Sequence, residues 1–206
     1  MGAYAFCLEP EKRLYEIVSS IKKEILAKYG SSLYLEDPPH ITLYVGRFKD
    51  KFLEESKYLT NLVKENHGIC ISVEVTFIFG PDPITGMDTP IYLVKSTPEL
   101  RRLQEETIHF LEKHREKGIV KRYSTIKFEK SFQNNLDKYG YPFVGSVWKP
   151  HISLGSFNKN CVDLNKIKWE DKVKPGNYKI KELVIYSLDE DSEKLTEIKR
   201  IPFEND

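Results

Sequence analysis

Pro39-His40-Ile41-Thr42-Leu43 and Pro150-His151-Ile152-Ser153-Leu154 are one pentapeptide written twice, with Thr in one copy and Ser in the other. A lone His-x-Thr/Ser tripeptide is a weak signal, but the same five positions matched twice are not expected by chance. His40 to Val45 is rich in strand-forming residues, the second copy matches it position by position, and each histidine follows a proline, so each reads as a strand entered from a loop. On a strand, residues two apart point the same way. His40 then lies beside Thr42 and His151 beside Ser153, while Ile41, Leu43, Ile152 and Leu154 anchor the strands from behind.

The flanking sequence repeats as well. Ala3-Tyr4-Ala5-Phe6-Cys7-Leu8 reads as a buried strand, with Pro10 at the place of a first helical residue. Leu14, Ile17, Val18, Ile21, Ile25 and Leu26 then recur at helical spacing up to Gly30. After the first pentapeptide come a helix with Phe52, Leu59, Leu62 and Val63 inward and a long strand over Ile69 to Phe79, closed by Gly80-Pro81. The second half opens with the strand Ile91-Tyr92-Leu93-Val94, then Thr97 as a cap and Pro98 in the first turn of a helix ending near Gly118. The second pentapeptide follows, and Leu183 to Leu188 and Leu195 to Ile201 form a terminal hairpin around Asp189-Glu190-Asp191-Ser192. Both halves, about 1–90 and 91–206, run strand, helix, histidine strand, further strand. A pseudo-symmetric α+β protein forming a single unit over 1–206 is expected.

Composition removes several alternatives. Of 206 residues 40% are hydrophobic, and 32 Lys plus Arg stand against 31 Asp plus Glu for a net charge of +1. A near-neutral chain offers no extended basic track for duplex DNA, which favours a short substrate over long duplex. No apolar run is long enough to span a bilayer, and Met1 to Cys7 lacks the character of a signal peptide, so no membrane association and a cytoplasmic location are expected. Cys7, Cys70 and Cys161 have neither zinc-site nor disulfide spacing and read as buried reduced thiols. There is no His-Glu-x-x-His pattern and no glycine-rich phosphate loop, so no metal and no cofactor are expected. A monomer is expected.

If the halves face each other across a pseudo-twofold axis, two imidazole and hydroxyl pairs meet in a cleft. One imidazole can take a proton from an attacking oxygen while the other gives one to the leaving oxygen. Thr42 and Ser153 can hold the non-bridging oxygens where negative charge sits. Tyr44, sharing a strand face with His40 and Thr42, and Tyr92, Trp148 and Phe157 are candidates to stack a base, with core packing as the alternative. The second half carries an apparent insert, about 119–149, with seven aromatics, Tyr123, Phe128, Phe132, Tyr139, Tyr141, Phe143 and Trp148, and an excess of basic residues. It serves either as a nucleotide-binding wall or lid, or as a solvated loop over a satellite core. Charge runs such as Lys22-Lys23-Glu24 read as solvated helix faces.

Duplicated His-x-Thr/Ser motifs about a hundred residues apart in a pseudo-symmetric chain resemble the 2H phosphoesterase superfamily, which includes 2′-5′ RNA ligase-like proteins and 2′,3′-cyclic nucleotide phosphodiesterases. The resemblance covers nearly the whole chain. It implies a bilobal α+β fold with antiparallel sheets around a central groove and helices outside, and metal-independent chemistry. It also implies His40 and His151 as acid and base, and Thr42 and Ser153 as phosphate ligands. The implied substrate is an RNA end or small nucleotide: a 2′,3′-cyclic phosphate, a 2′-5′ linkage or a cyclic oligonucleotide signal. Where many ligase-like members carry an arginine after the second motif, this chain has Gly155-Ser156-Phe157. A non-catalytic nucleotide- or RNA-binding module, and RNA ligation at the same site, are the alternative readings.

Overall fold

In a computed structural model of the chain, which describes residues 2–55, 57–159, 163 and 169–203, the sheet is organised around two long strands. The first, β1 (Gly2–Pro10), is buried along nearly its whole length and pairs antiparallel with β2 (Ile41–Phe48) on one side. On its other side lies β6 (Gly176–Leu188). β6 is long enough to serve two neighbourhoods: Ile180 to Leu188 pair with β1, while Gly176 to Lys179 pair with β3 (Cys70–Phe79). β3 leads through β4 (Thr89–Val94) to β5 (His151–Ser153), and β7 (Leu195–Pro202) pairs with β6.

The order is therefore β2-β1-β6-β3-β4-β5, antiparallel throughout, with β7 off the path. The expected separate sheets are joined into one because β6 bridges them. Pairing also crosses the sequence midpoint, since β3 joins β4 and β5 while the terminal hairpin completes the β1–β2 layer. The equivalence of β1–β2 with β4–β5 survives this exchange.

α1 (Lys12–Tyr29) connects β1 to β2, and α3 (Pro98–Glu112) stands at the same place after β4. Pro10 is the last residue of β1 rather than the first of the helix, paired opposite Ile180. Thr97 caps α3 as its sequence position foretells, its hydroxyl accepting from the Leu100 amide at 3.2 Å. α3 ends at Glu112, short of Gly118. α2 (Lys57–Glu65) buries Leu59, Leu62 and Val63. Lys22 departs from the reading of a solvated face, being buried at 5% exposure among Val18, Ile21 and Ile25 of α1. Cys7 is buried but Cys70, at the start of β3, is exposed, and Cys161 lies outside the described residues. No helix among the described residues is long and apolar enough to cross a membrane.

The 119–149 stretch folds as α4 (Lys121–Ser124), α5 (Lys130–Tyr139) and a 3-10 turn at Gly145–Val147. Its aromatics form a connected cluster: Tyr123 meets Phe128 and Tyr141, Phe143 meets Phe128, Phe132 and Tyr141, and Tyr141 meets Tyr44 of β2 edge-on at 5.4 Å. Its basic excess is partly met by the β6–β7 turn, where Lys121 pairs with Asp191 and Arg122 with Glu193.

Candidate active site

β2 and β5, the two motif strands, stand at opposite ends of the sheet order, so each leaves an edge without a neighbouring strand. The sheet curls until these ends meet, and side chains take the place of the missing strand. Trp148, immediately upstream of β5, donates from Nε1 to the Thr42 carbonyl at 3.1 Å. Gln104 of α3, 1% exposed, donates from Nε2 to the Leu43 carbonyl at 3.0 Å and to the Phe143 carbonyl at 3.1 Å. Edge carbonyls of β2 are thereby tied to the helix and to the segment leading into β5.

Leu43 sits at a bulge. Cys7 of β1 faces Thr42 and Phe6 faces Tyr44, leaving Leu43 unpaired between them. The extra residue breaks the alternation, so Tyr44 does not share the face of His40 and Thr42. Its ring packs with Phe6, Phe48 and Tyr141, and its hydroxyl donates to the Tyr139 carbonyl. Val45 takes the cavity-facing place instead.

His40, Thr42, His151 and Ser153 line one cavity of about 260 Å³. All four side chains are partly accessible, while Ile41, Leu43, Ile152 and Leu154 are fully buried. The two histidines are held alike. Nδ1 of His40 is 2.7 Å from the Pro38 carbonyl, and Nδ1 of His151 is 2.7 Å from the Lys149 carbonyl, in each case the carbonyl two residues upstream. A carbonyl only accepts, so Nδ1 carries the proton and Nε2 is left as the basic nitrogen. Each ring also rests against an aromatic: Tyr186 lies 6.2 Å from His40, and Phe79 meets His151 edge-on at 5.2 Å.

Burial pushes both imidazoles below their ordinary value; Asp37 opposes this at His40 and Lys22 reinforces it, while the Lys149 carbonyl and Asp82 oppose it at His151. At neutral pH both rings therefore start uncharged. Cys7, opposite Thr42, is pushed far up by burial and is a thiol, not a nucleophile.

Of Tyr44, Tyr92, Trp148 and Phe157 the structure brings only Trp148 to the cavity wall, where Tyr123, Phe132, Tyr141 and Phe143 of the 119–149 stretch join it. Tyr92 is fully buried, its hydroxyl donating to the Trp169 carbonyl at 2.5 Å, and Phe157 is buried beside an isolated bridge to Asp88. Neither lines the cavity, and neither does Tyr44. Several wall residues belong to no motif in the sequence. Lys22 reaches it from α1, its ammonium donating to the carbonyls of Tyr34 and Asp37 at 2.7 Å each, with burial lowering its pKa to about 8. Tyr34, Asp37, Asp82 and Glu193 add to the polar wall, as do Arg122 and Lys149 from the basic 119–149 stretch. A lysine at a buried position of an otherwise apolar helix stripe is the signal that was available for Lys22. Asp82 and Glu193 sit in turns and gave none. Among the described residues no three His, Cys, Asp or Glu side chains converge as a metal-binding group.

No family model matches the sequence, and no curated protein matches it. Solved structures do. The structure of E. coli LigT complexed with NADP+ covers 98% of this chain and 96% of its own at TM-score 0.50 and 12% identity. A structure described as a phosphoesterase covers 97% and 96% at TM-score 0.48 and 14% identity, and E. coli LigT complexed with 3′-AMP covers 97% and 96% at TM-score 0.49 and 14% identity. The class is thereby set at the level of fold alone: an antiparallel α+β architecture. The particular protein whose fold this chain shares over nearly its full length is E. coli LigT.

Proposed function

We propose that the chain is a phosphodiesterase that needs no metal and cleaves a small nucleotide or RNA-end phosphodiester with His40 and His151 as acid and base. The observation that carries the reading is the matched setting of the two rings in one cavity, each with Nδ1 on an upstream carbonyl and Nε2 unclaimed by any protein group among the described residues. An Nε2 so prepared accepts a proton from the attacking oxygen, and its counterpart, once protonated, supplies one to the leaving oxygen. Thr42 and Ser153 hydroxyls hold the non-bridging oxygens, and Lys22 adds a positive charge on the wall. Substrates are 2′,3′-cyclic phosphates, 2′-5′ linkages or cyclic oligonucleotides, acted on by a cytoplasmic monomer. The small cavity and the near-neutral chain favour these over duplex. That the same fold in LigT accommodates NADP+ supports a nucleotide ligand.

The test is hydrolysis in the presence of chelator by wild type beside His40→Ala and His151→Ala, over 2′,3′-cyclic mononucleotides, 2′-5′ oligoadenylate and cyclic dinucleotides. Loss of roughly a hundredfold or more in each variant is expected. Full turnover by either variant would sink the mechanism, and nucleotide binding without any turnover would favour the non-catalytic module.

A further inference from the structure

Two residues that line the cavity each carry a buried polar atom with no hydrogen-bond partner among the described residues, and the two side chains are neighbours: Arg122 with Nε, a donor, and Glu193 with Oε2, an acceptor. Arg122 Nη1 lies 3.5 Å from that same Oε2, so the side chains form an ion pair without forming a hydrogen bond. Orphaned buried polar atoms are costly unless a ligand completes them. The backbone adds an independent sign. Among the described residues only two non-glycine positions have positive φ, Tyr34 at 66° and Glu193 at 56°, and both line this cavity. Left-handed conformations of side-chain-bearing residues are retained where a site requires them.

The required partner has a donor beside an acceptor on one edge and a flat apolar body. Arg122 is placed over the Tyr123 ring at 5.6 Å, and Tyr34, Tyr123 and Tyr141 give aromatic walls around the pair. A nucleobase meets that description. Guanine meets it most fully, because O6 and N7 accept from a guanidinium while N1–H and the N2 amino group give two parallel donors to a carboxylate. Adenine and cytosine have no carbonyl beside a ring N–H, and uracil has only one donor there.

We propose that Arg122 and Glu193 form a base-edge subsite that selects guanine in the nucleotide bound by the two-histidine cavity. This rests on the phosphodiesterase reading for the reaction but not for the binding. The subsite is built by two segments far apart in sequence, the 119–149 stretch and the β6–β7 turn, both of which line the cavity.

The experiment measures binding of 3′-GMP and 3′-AMP by calorimetry and hydrolysis of 2′,3′-cyclic GMP and 2′,3′-cyclic AMP, in wild type, Glu193→Gln and Arg122→Gln. Glu193→Gln keeps the side-chain shape while replacing one acceptor oxygen with a donor. Wild type is expected to prefer guanine by about tenfold or more, and each variant to lose most of that preference. Equal wild-type affinity for the two bases, or a guanine preference unchanged in both variants with melting temperatures preserved, overturns the subsite. Guanine-selective binding without hydrolysis keeps the subsite and defeats the catalytic reading. Hydrolysis indifferent to the base does the reverse.

Discussion

Trp148 Nε1 donates to the Thr42 carbonyl across 106 positions of sequence, so the residue that leads into one motif strand holds the backbone of the other. The strands it joins are the two ends of the sheet, and among the described residues no backbone ladder pairs them. This single bond therefore helps set the separation of the two histidine–hydroxyl pairs.

Trp148→Phe keeps most of the ring and removes the donor. We expect a loss of about 1 kcal/mol in unfolding free energy and a fall in kcat of about tenfold with a smaller change in KM. Urea unfolding with steady-state kinetics tests this; unchanged kcat would show that the motif strands are positioned without the clasp.

Gln104→Met fills similar volume but strands the carbonyls of Leu43 and Phe143 in a buried place. The expected cost is about 2–6 kcal/mol, the sum of two unsatisfied acceptors. Denaturation of the variant would show it, and a loss under about 1 kcal/mol would mean that the bulge carbonyl finds another partner.

The pH profile follows from the direction of the histidine shifts. The proposed acid–base pair needs one ring neutral and one protonated, and burial lowers the pKa of both. Protonation of the acid is lost as pH rises through a value below the ordinary 6.5, so kcat/KM should peak on the mildly acidic side and decline above it. An anionic phosphodiester stabilises the protonated rings, which moves the kcat profile to higher pH than that of kcat/KM. A kcat/KM optimum above the usual histidine range would contradict the assignment.

Lys22 makes a separate stability prediction. Its pKa falls from 10.5 in the unfolded chain to about 8 in the fold, so protonation favours unfolding. The penalty is absent above 10.5, accumulates as pH falls between these values, and reaches about 3 kcal/mol below 8. Lys22→Met lacks a titrating group. The stability of wild type relative to this variant should therefore improve between pH 7 and pH 10, by up to about 3 kcal/mol, as read by urea unfolding at the two pH values. A constant difference would place the ammonium in contact with solvent.

The duplicated pentapeptide, the strand and helix periodicities and the Thr97-Pro98 cap were all readable because they are local: each depends on residues within a few positions of one another. Those local patterns determined the α+β class and the pairing of each histidine with a hydroxyl two residues on. Tyr44 marks where locality stops. Its strand face is decided by a bulge at Leu43, and that bulge is stabilised by Gln104 from a helix about sixty residues away. The charged neighbours of Lys22 predict a solvated side chain, yet it is buried, with the loop that carries Tyr34 and Asp37 folded over it. Closure of the sheet ends, the exchange of β3 and the terminal hairpin between the sequence halves, and the meeting of Arg122 with Glu193 were decided by tertiary structure alone. Each is a contact between segments whose separate patterns carry no record of the other, and only burial of the shared core brings them together.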